Sequence, residues 1–334
     1  MDYKNILVCR TDHIGDVLLS TPVTSLLRKK YPGSFISFLT SRYASVVLKD
    51  NPDINEMIFI EDKNLVSELK KRKFEAAIVL FPCFDVCKKI FMANIPVRIG
   101  PANKWFVPLF LNRPVFQHRS RVLKHEAEYN LDLVVPLGIG PEQVNLAYAV
   151  SPGAKRFALD WKSKNNISKN EKFIIIHPGM KDSALNWPLR YYAELTDKLI
   201  KEKRVKLLFS HGPGEKEIIC NLMKIMEEKP LVLDEAVDLS LFAGLISEAD
   251  LLFCPSTGIL HLACAVKTRT ISIFSPIKVQ SKKRWGPYGE GHIVFEPGVI
   301  CKKKFKCHKA KCLYYNCMER ITVKSVYDKI SEIL

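Results

Sequence analysis

The sequence predicts an α/β chain built as two doubly wound domains. Short apolar runs of strand length alternate with helical stretches, the signature of parallel βαβ units. The alternation pauses near residue 150 and restarts after residue 170. A chain of 334 residues has room for two cores of ordinary size. With 47% hydrophobic and 26% charged residues, a disordered chain is excluded.

In the first half, Ile6-Leu7-Val8-Cys9 reads as a buried strand and Val17 to Lys30 as the amphipathic helix after it. Ser34 to Leu39 and Met57 to Ile60 are the next strands, followed by a helix ending in Lys70-Lys71-Arg72-Lys73. Ala76 to Leu80 and Val97 to Gly100 complete the half. Residues 150–171 are polar and form the joint. In the second half the strands are Phe173 to Ile176, Val205 to Phe209, Leu231 to Leu233, Asp250 to Cys254 and Thr270 to Phe274. Helices fall at Leu189 to Glu202, Glu215 to Glu227 and from Ile259 to Val266. Neither a short repeat nor a low-complexity segment appears.

The charge is unusual. Fifty-one basic residues against 35 acidic give +16, and the last 34 residues hold nine basic and three acidic ones. Such a balance favours an anionic partner, whether nucleic acid, a phospholipid surface or a phosphorylated substrate. No apolar run approaches the roughly 20 residues of a membrane span. The opening Met1-Asp2-Tyr3-Lys4-Asn5 leads straight into a strand with no apolar leader, which predicts a cytoplasmic chain. Most of the ten cysteines stand singly in apolar contexts, as reduced core cysteines do. Cys301, Cys307, Cys312 and Cys317, with His308, are spaced more loosely than the usual zinc pairs. They read as a metal site, a redox-sensitive or disulfide pair, or plain thiols.

In doubly wound sheets, ligands bind beyond the carboxyl ends of the strands. The first such turn, Arg10 to Val17, has neither the G-x-G-x-x-G of a dinucleotide fold nor a phosphate-binding P-loop. It offers Asp16 where a helix begins, either as a helix-terminal charge or as a carboxylate at a cleft mouth. The turn His177 to Pro188 is long and polar, and its Lys181 and Ser183 suit a phosphate or an ordinary surface loop. Glu215 ends the turn Ser210 to Glu215, placed to accept ribose hydroxyls or to complement a helix dipole. Pro255 to His261 is the strongest local feature. Its small residues would let a diphosphate reach N–H groups at a helix N-terminus, with His261 on the cleft side or packed inside. There is no D-x-D, so a carboxylate pair holding a divalent ion is not evident, and no metal site or cofactor is assigned to the chemistry.

Taken in order, Gly15 to Pro22, Asn186-Trp187-Pro188, Gly212-Pro213-Gly214-Glu215, Ser256 to Leu262 and Cys317-Met318 resemble glycosyltransferase family 9, the ADP-heptose:lipopolysaccharide heptosyltransferases. Arg98-Ile99-Gly100 and Lys124 to Leu131 extend the resemblance over nearly the whole chain. It implies a GT-B fold, two Rossmann-like domains facing across a cleft: residues 1–155 for the acceptor, 156–320 for the nucleotide sugar. Residues 321–334 would be a final helix packing back on the first domain. It implies an inverting transferase with Asp16 as general base and ADP-heptose as donor substrate. Donor contacts would come from Lys181, Ser183, Asn186, Glu215, Ser256, Thr257, Gly258 and His261. Two positions depart from the pattern. Ala184-Leu185-Asn186 stands where some members carry a lysine, and Ser256 where some carry an aspartate facing the sugar.

The implied acceptor, the anionic inner core of lipopolysaccharide, accounts for the charge. Gly15, Arg119, Arg121 and Lys124 are its candidate contacts. Lys302-Lys303-Lys304-Phe305-Lys306 suits peripheral contact with an anionic inner membrane. Trp105 to Leu111 reads as a buried loop or as an interfacial one. A tandem-Rossmann NAD-dependent oxidoreductase is the alternative from another enzyme class, and the missing G-x-G-x-x-G counts against it. A nucleic-acid-binding protein, suggested by the charge, lacks any recognised module, so nucleic acid is not expected as a partner.

Overall fold

The computed structural model describes residues 2–140, 142–180, 184–203, 205–233 and 237–334. The chain divides into two compact units, Met1–Ala149 and Val150–Leu334.

The first unit contains β1 (Asn5–Cys9), α1 (Ile14–Leu18), α2 (Thr21–Lys30), β2 (Phe35–Thr40), β3 (Glu56–Phe59) and α3 (Leu65–Lys71). It continues with β4 (Ala76–Val79), α4 (Phe84–Met92), β5 (Val97–Pro101), α5 (Val107–Phe110), β6 (Arg113–Val115) and α6 (Glu126–Leu131). The second unit contains α7 (Pro152–Lys164), β7 (Phe173–Ile176), α8 (Leu189–Lys203), β8 (Lys206–Phe209), α9 (Lys216–Ile225), β9 (Leu231–Val232) and α10 (Leu239–Ser247). It ends with β10 (Leu251–Pro255), α11 (Gly258–Ala265), β11 (Thr270–Ile273), α12 (Lys282–Trp285), β12 (Ile293–Phe295) and α13 (Val323–Ile333).

Each unit holds one six-stranded sheet, ordered β3-β2-β1-β4-β5-β6 and β12-β11-β10-β7-β8-β9. Among the described residues every strand pairing is parallel. The two sheets share one winding order. In each, the strand that opens the unit lies centrally beside the fourth, β1 against β4 and β7 against β10. Parallel strands covered by helices on both faces are continuously apolar, and Ile6 to Cys9 and Phe173 to Ile176 are accordingly buried throughout. The crevice between the first and fourth strands is where the winding reverses, and it places the functional turns.

The helix predicted over Val17 to Lys30 is two helices. The chain breaks at Leu19-Ser20, Pro22 opens α2 where its missing N–H costs nothing, and the Ser20 hydroxyl donates to the Asp16 carbonyl at 2.7 Å. The division between units falls at 149/150. Helix α7 runs unbroken through 155 and packs on α10, where Gly244 lies against the Ala154 backbone so closely that a Cβ would overlap it. The last helix packs on α8 of its own unit. Val326, Tyr327 and Ile330 of α13 join the second unit's core with Leu195 and Leu199 of α8. Trp187 Nε1 donates to the Ile321 carbonyl at 2.8 Å, and the Tyr327 hydroxyl to Glu202 at 2.6 Å. An amphipathic helix takes the apolar surface that lies next to it, and α8 supplies that surface.

Candidate active site

The turn after β1 is organised by a residue that the sequence pattern alone does not single out. Arg10 is the first residue beyond the strand and its guanidinium is buried. Nε donates to Asp12 at 2.7 Å, Nη2 pairs with Asp16, and Nη1 reaches Glu126 at 3.3 Å and Asn130 at 3.4 Å. One cation is thus shared among three carboxylates. The Phe81 ring, just past β4, covers it at 5.3 Å. Asp16 sits in the first turn of α1, and its bonds go to Arg10; the helix N-cap, His13, makes no side-chain capping bond. Burial pushes the Asp16 carboxyl up to about 6, and the charges of Asp12 and Glu126 add to the rise. The Arg10 guanidinium opposes both and loses. The result is a carboxylate still ionised at neutral pH but a stronger base than a free aspartate, the condition general-base catalysis favours.

Arg119, expected to meet the acceptor, is buried instead. It pairs with Glu126 and donates to the Gln117 side chain at 2.9 Å and the Leu80 carbonyl at 3.2 Å. Asn130 completes the network, its Nδ2 donating to the Leu19 carbonyl at 3.0 Å. Arg119 therefore braces the Glu126 that holds Arg10, because a buried carboxylate needs compensating donors. Arg121 is exposed, and Lys124 is paired with Asp132 at 2.7 Å. Gly15 is buried within α1.

The second unit presents three turns at the carboxyl ends of β7, β8 and β10. His177 follows β7, with its Nδ1 3.0 Å from the Ser210 hydroxyl and its Nε2 4.0 Å from Glu215. Burial lowers the imidazole to about 4 against the pull of Glu215, so this contact is between a neutral ring and a carboxylate. Glu215 folds back and accepts from the Gly212 N–H at 2.8 Å. Its carboxylate lies over Gly179, where any Cβ would overlap it. A groove of about 640 Å³ opens beside this turn between His211, Lys216, Met223 and Leu233. After β10, Ser256, Thr257 and Gly258 are part-exposed at the start of α11, and Thr257 caps the helix in extended conformation with no side-chain capping bond. His261 lies on α11 and is buried.

Asn186, expected to contact the donor, is engaged with the protein. Nδ2 donates to the Pro178 carbonyl at 2.7 Å, and Oδ1 accepts from the Trp187 N–H at 2.7 Å and the Tyr192 hydroxyl at 2.9 Å. It shapes the turn. Lys181 and Ser183 lie outside the described residues. Arg10, Glu126, His177 and Gly179, which build these turns, were not singled out by sequence reading. The available signal for Arg10 and His177 was a charged or titratable residue immediately after a fully apolar central strand.

Two parallel sheets of this winding define a class of α/β protein built from paired Rossmann-like units. Comparison with known proteins places the chain within that class. The model of glycosyltransferase family 9 (heptosyltransferase) matches residues 63–314, and the chain belongs to that family. A Haemophilus influenzae protein named "Putative glycosyltransferase" is 30% identical over 88% of this chain and 89% of its own. Lipopolysaccharide heptosyltransferase 3 of Escherichia coli K12 is 25% identical over 85% of each chain. The crystal structure of a family 9 glycosyltransferase from Veillonella parvula superposes with TM-score 0.84 at 23% identity, covering 99% of this chain and 97% of that one. The E. coli heptosyltransferase WaaC with ADP-2-deoxy-2-fluoro heptose superposes with TM-score 0.70 at 18% identity, covering 99% and 100%. The fold is GT-B, and the protein is an enzyme that transfers a sugar. The oxidoreductase alternative lapses with this assignment.

Proposed function

We propose that the enzyme moves a heptose from ADP-heptose to the inner core of lipopolysaccharide with inversion at the anomeric carbon, and that Asp16 is the general base. The observation that carries the chemistry is the part-buried Asp16 carboxylate, tethered by Arg10 and raised to about 6. Asp16 takes the acceptor hydroxyl's proton as its oxygen attacks. The new C–O bond forms on the face opposite the diphosphate, whose own bond to the sugar breaks to release ADP. The charge that develops on the diphosphate calls for oriented donors. The start of α11 at Thr257 and Gly258 supplies backbone N–H groups and the positive end of the helix dipole. Glu215, fixed by Gly212 and by its approach to Gly179, suits the ribose hydroxyls, with the groove beside His211 taking the base.

The relatives' names support the acceptor class, and the solved WaaC complex supports the donor. Ser256 favours a second reading, in which the same base serves another nucleotide sugar or acceptor, because a hydroxyl grips a sugar less firmly than a carboxylate would. Incubating the enzyme with a de-acylated, Kdo-terminated core and either ADP-heptose or ADP-glucose, then weighing the product by mass spectrometry, separates them. Heptose addition supports the first reading, and addition from ADP-glucose alone supports the second.

Among the described residues no helix is long and apolar enough to cross a membrane. Peripheral contact with an anionic bilayer is the reading we extend to the first unit's exposed aromatics. Phe84 stacks edge-on with Phe106 and Phe110, at 5.6 and 5.2 Å, and Trp105 is 79% exposed beside them. Exposed Lys88 and Lys104 flank the cluster. Aromatic rings bordered by lysines are the composition of membrane-interface surfaces.

A further inference from the structure

Between β12 and α13 lies a stretch to which the proposed transfer mechanism assigns no role. It forms only two short turns, Lys309–Lys311 and Cys317–Arg320. Segments this long without regular structure are uncommon inside a compact domain, and this one has little apolar surface to hold it. Ile300, Phe305, Leu313 and Tyr315 are all exposed. Cys317 and Met318 anchor its far end in the second unit's core. Nevertheless the stretch folds back so that Cys301, Cys307, Cys312 and Cys317 all line one cavity of about 190 Å³, together with His308. Cys317 is an electrostatic neighbour of Cys307, Cys301 and Cys312. The Lys309 N–H donates to Cys307 Sγ at 3.2 Å.

We propose that these four cysteines bind a thiophilic divalent ion of the zinc class and so staple the stretch to the second unit. Four thiolates are the ligand set of a structural zinc site, and two of the three intervals fit the usual separation of up to four residues. Each thiol releases its proton to solvent as its sulfur–metal bond forms, leaving a site of net charge −2. Lys302, Lys303, Lys304, Lys306, Lys309 and Lys311 supply the balancing charge, and residues 297–318 contain no acid. Among the described residues no three such groups already stand as ligands around one point, so binding draws the thiolates together within the cavity they share.

The test uses the full chain purified without chelator and supplied with zinc alone. Plasma mass spectrometry should find about one ion per chain. A thiol reagent should reach more cysteines once a chelator is added, and cobalt loading should give the intense visible absorption of a tetrahedral thiolate site. Cys307→Ser with Cys312→Ser should lower metal content at least tenfold, while Cys220→Ser, at an exposed cysteine outside the cluster, should leave it intact. If the double variant does not fold, the wild-type cobalt spectrum decides. Below a tenth of an ion per chain with all thiols reactive, the proposal fails. It fails equally if the cluster's thiols appear only after a reductant, because they would then be paired as disulfides.

Discussion

Replacing Asp16 by asparagine should make the enzyme more stable at neutral pH. The Asp16 carboxyl stands at about 6 against an ordinary 3.8, because burial outweighs an arginine that also serves Asp12 and Glu126. The folded state therefore prefers the protonated acid. That stability is fully present below 3.8 and is lost as pH rises through about 6. The interval is roughly two pH units, and each is worth about 1.4 kcal/mol, so the ionised form costs up to about 3 kcal/mol at pH 7.5. Asparagine keeps the size and an acceptor oxygen for Arg10 without the buried charge, and Arg10 retains its other carboxylates. For a unit of this size 1 kcal/mol moves the melting point by about 2–4 °C, so Asp16→Asn should melt several degrees higher at pH 7.5. The gap should narrow as pH falls toward 4. Scanning calorimetry of both proteins across that range reads it directly. A variant that melts lower than wild type at pH 7.5 would refute the reasoning, since the Arg10–Asp16 pair would then be net stabilising.

The same titration predicts an acid limb in kcat/KM near pH 6, with activity at pH 5 about tenfold below that at pH 7; a flat profile down to pH 5 would show that Asp16 is not the titrating base. Gly179→Ala should weaken ADP binding about tenfold or more by pushing Glu215 from its place, and unchanged affinity in calorimetric titration would remove Glu215 from the donor site. Trp105→Ala should reduce co-sedimentation with anionic vesicles several-fold and leave transfer to a soluble acceptor unchanged. Equal binding by both proteins would move the membrane contact elsewhere.

The scaffold was legible where the pattern is dense. Continuous apolar runs at Ile6 to Cys9 and Phe173 to Ile176 mark central parallel strands, and the functional turns follow from them. The short edge strands escaped, β6 because Pro114 interrupts its pattern and β12 because three residues carry too little periodicity. Side-chain partners were less legible still. Arg119 and Asn186 read as open polar groups, and only the fold shows that Glu126 and the Pro178 carbonyl claim them. The Arg10 network joins residues more than a hundred positions apart, from β1 to α6, which no local spacing reveals. Asp16 stood out as a helix-start carboxylate, but its raised pKa comes from burial and from how many carboxylates share one guanidinium.

The central claim is that Asp16 removes the acceptor's proton. The direct measurement is the rate of heptose transfer from ADP-heptose to a de-acylated, Kdo-terminated core, for wild type and for Asp16→Asn, with ADP affinity measured on both. A general base is worth about 10²–10⁴ in rate. The variant should lose that factor while binding ADP as wild type does. Transfer by the variant at close to the wild-type rate would contradict the assignment.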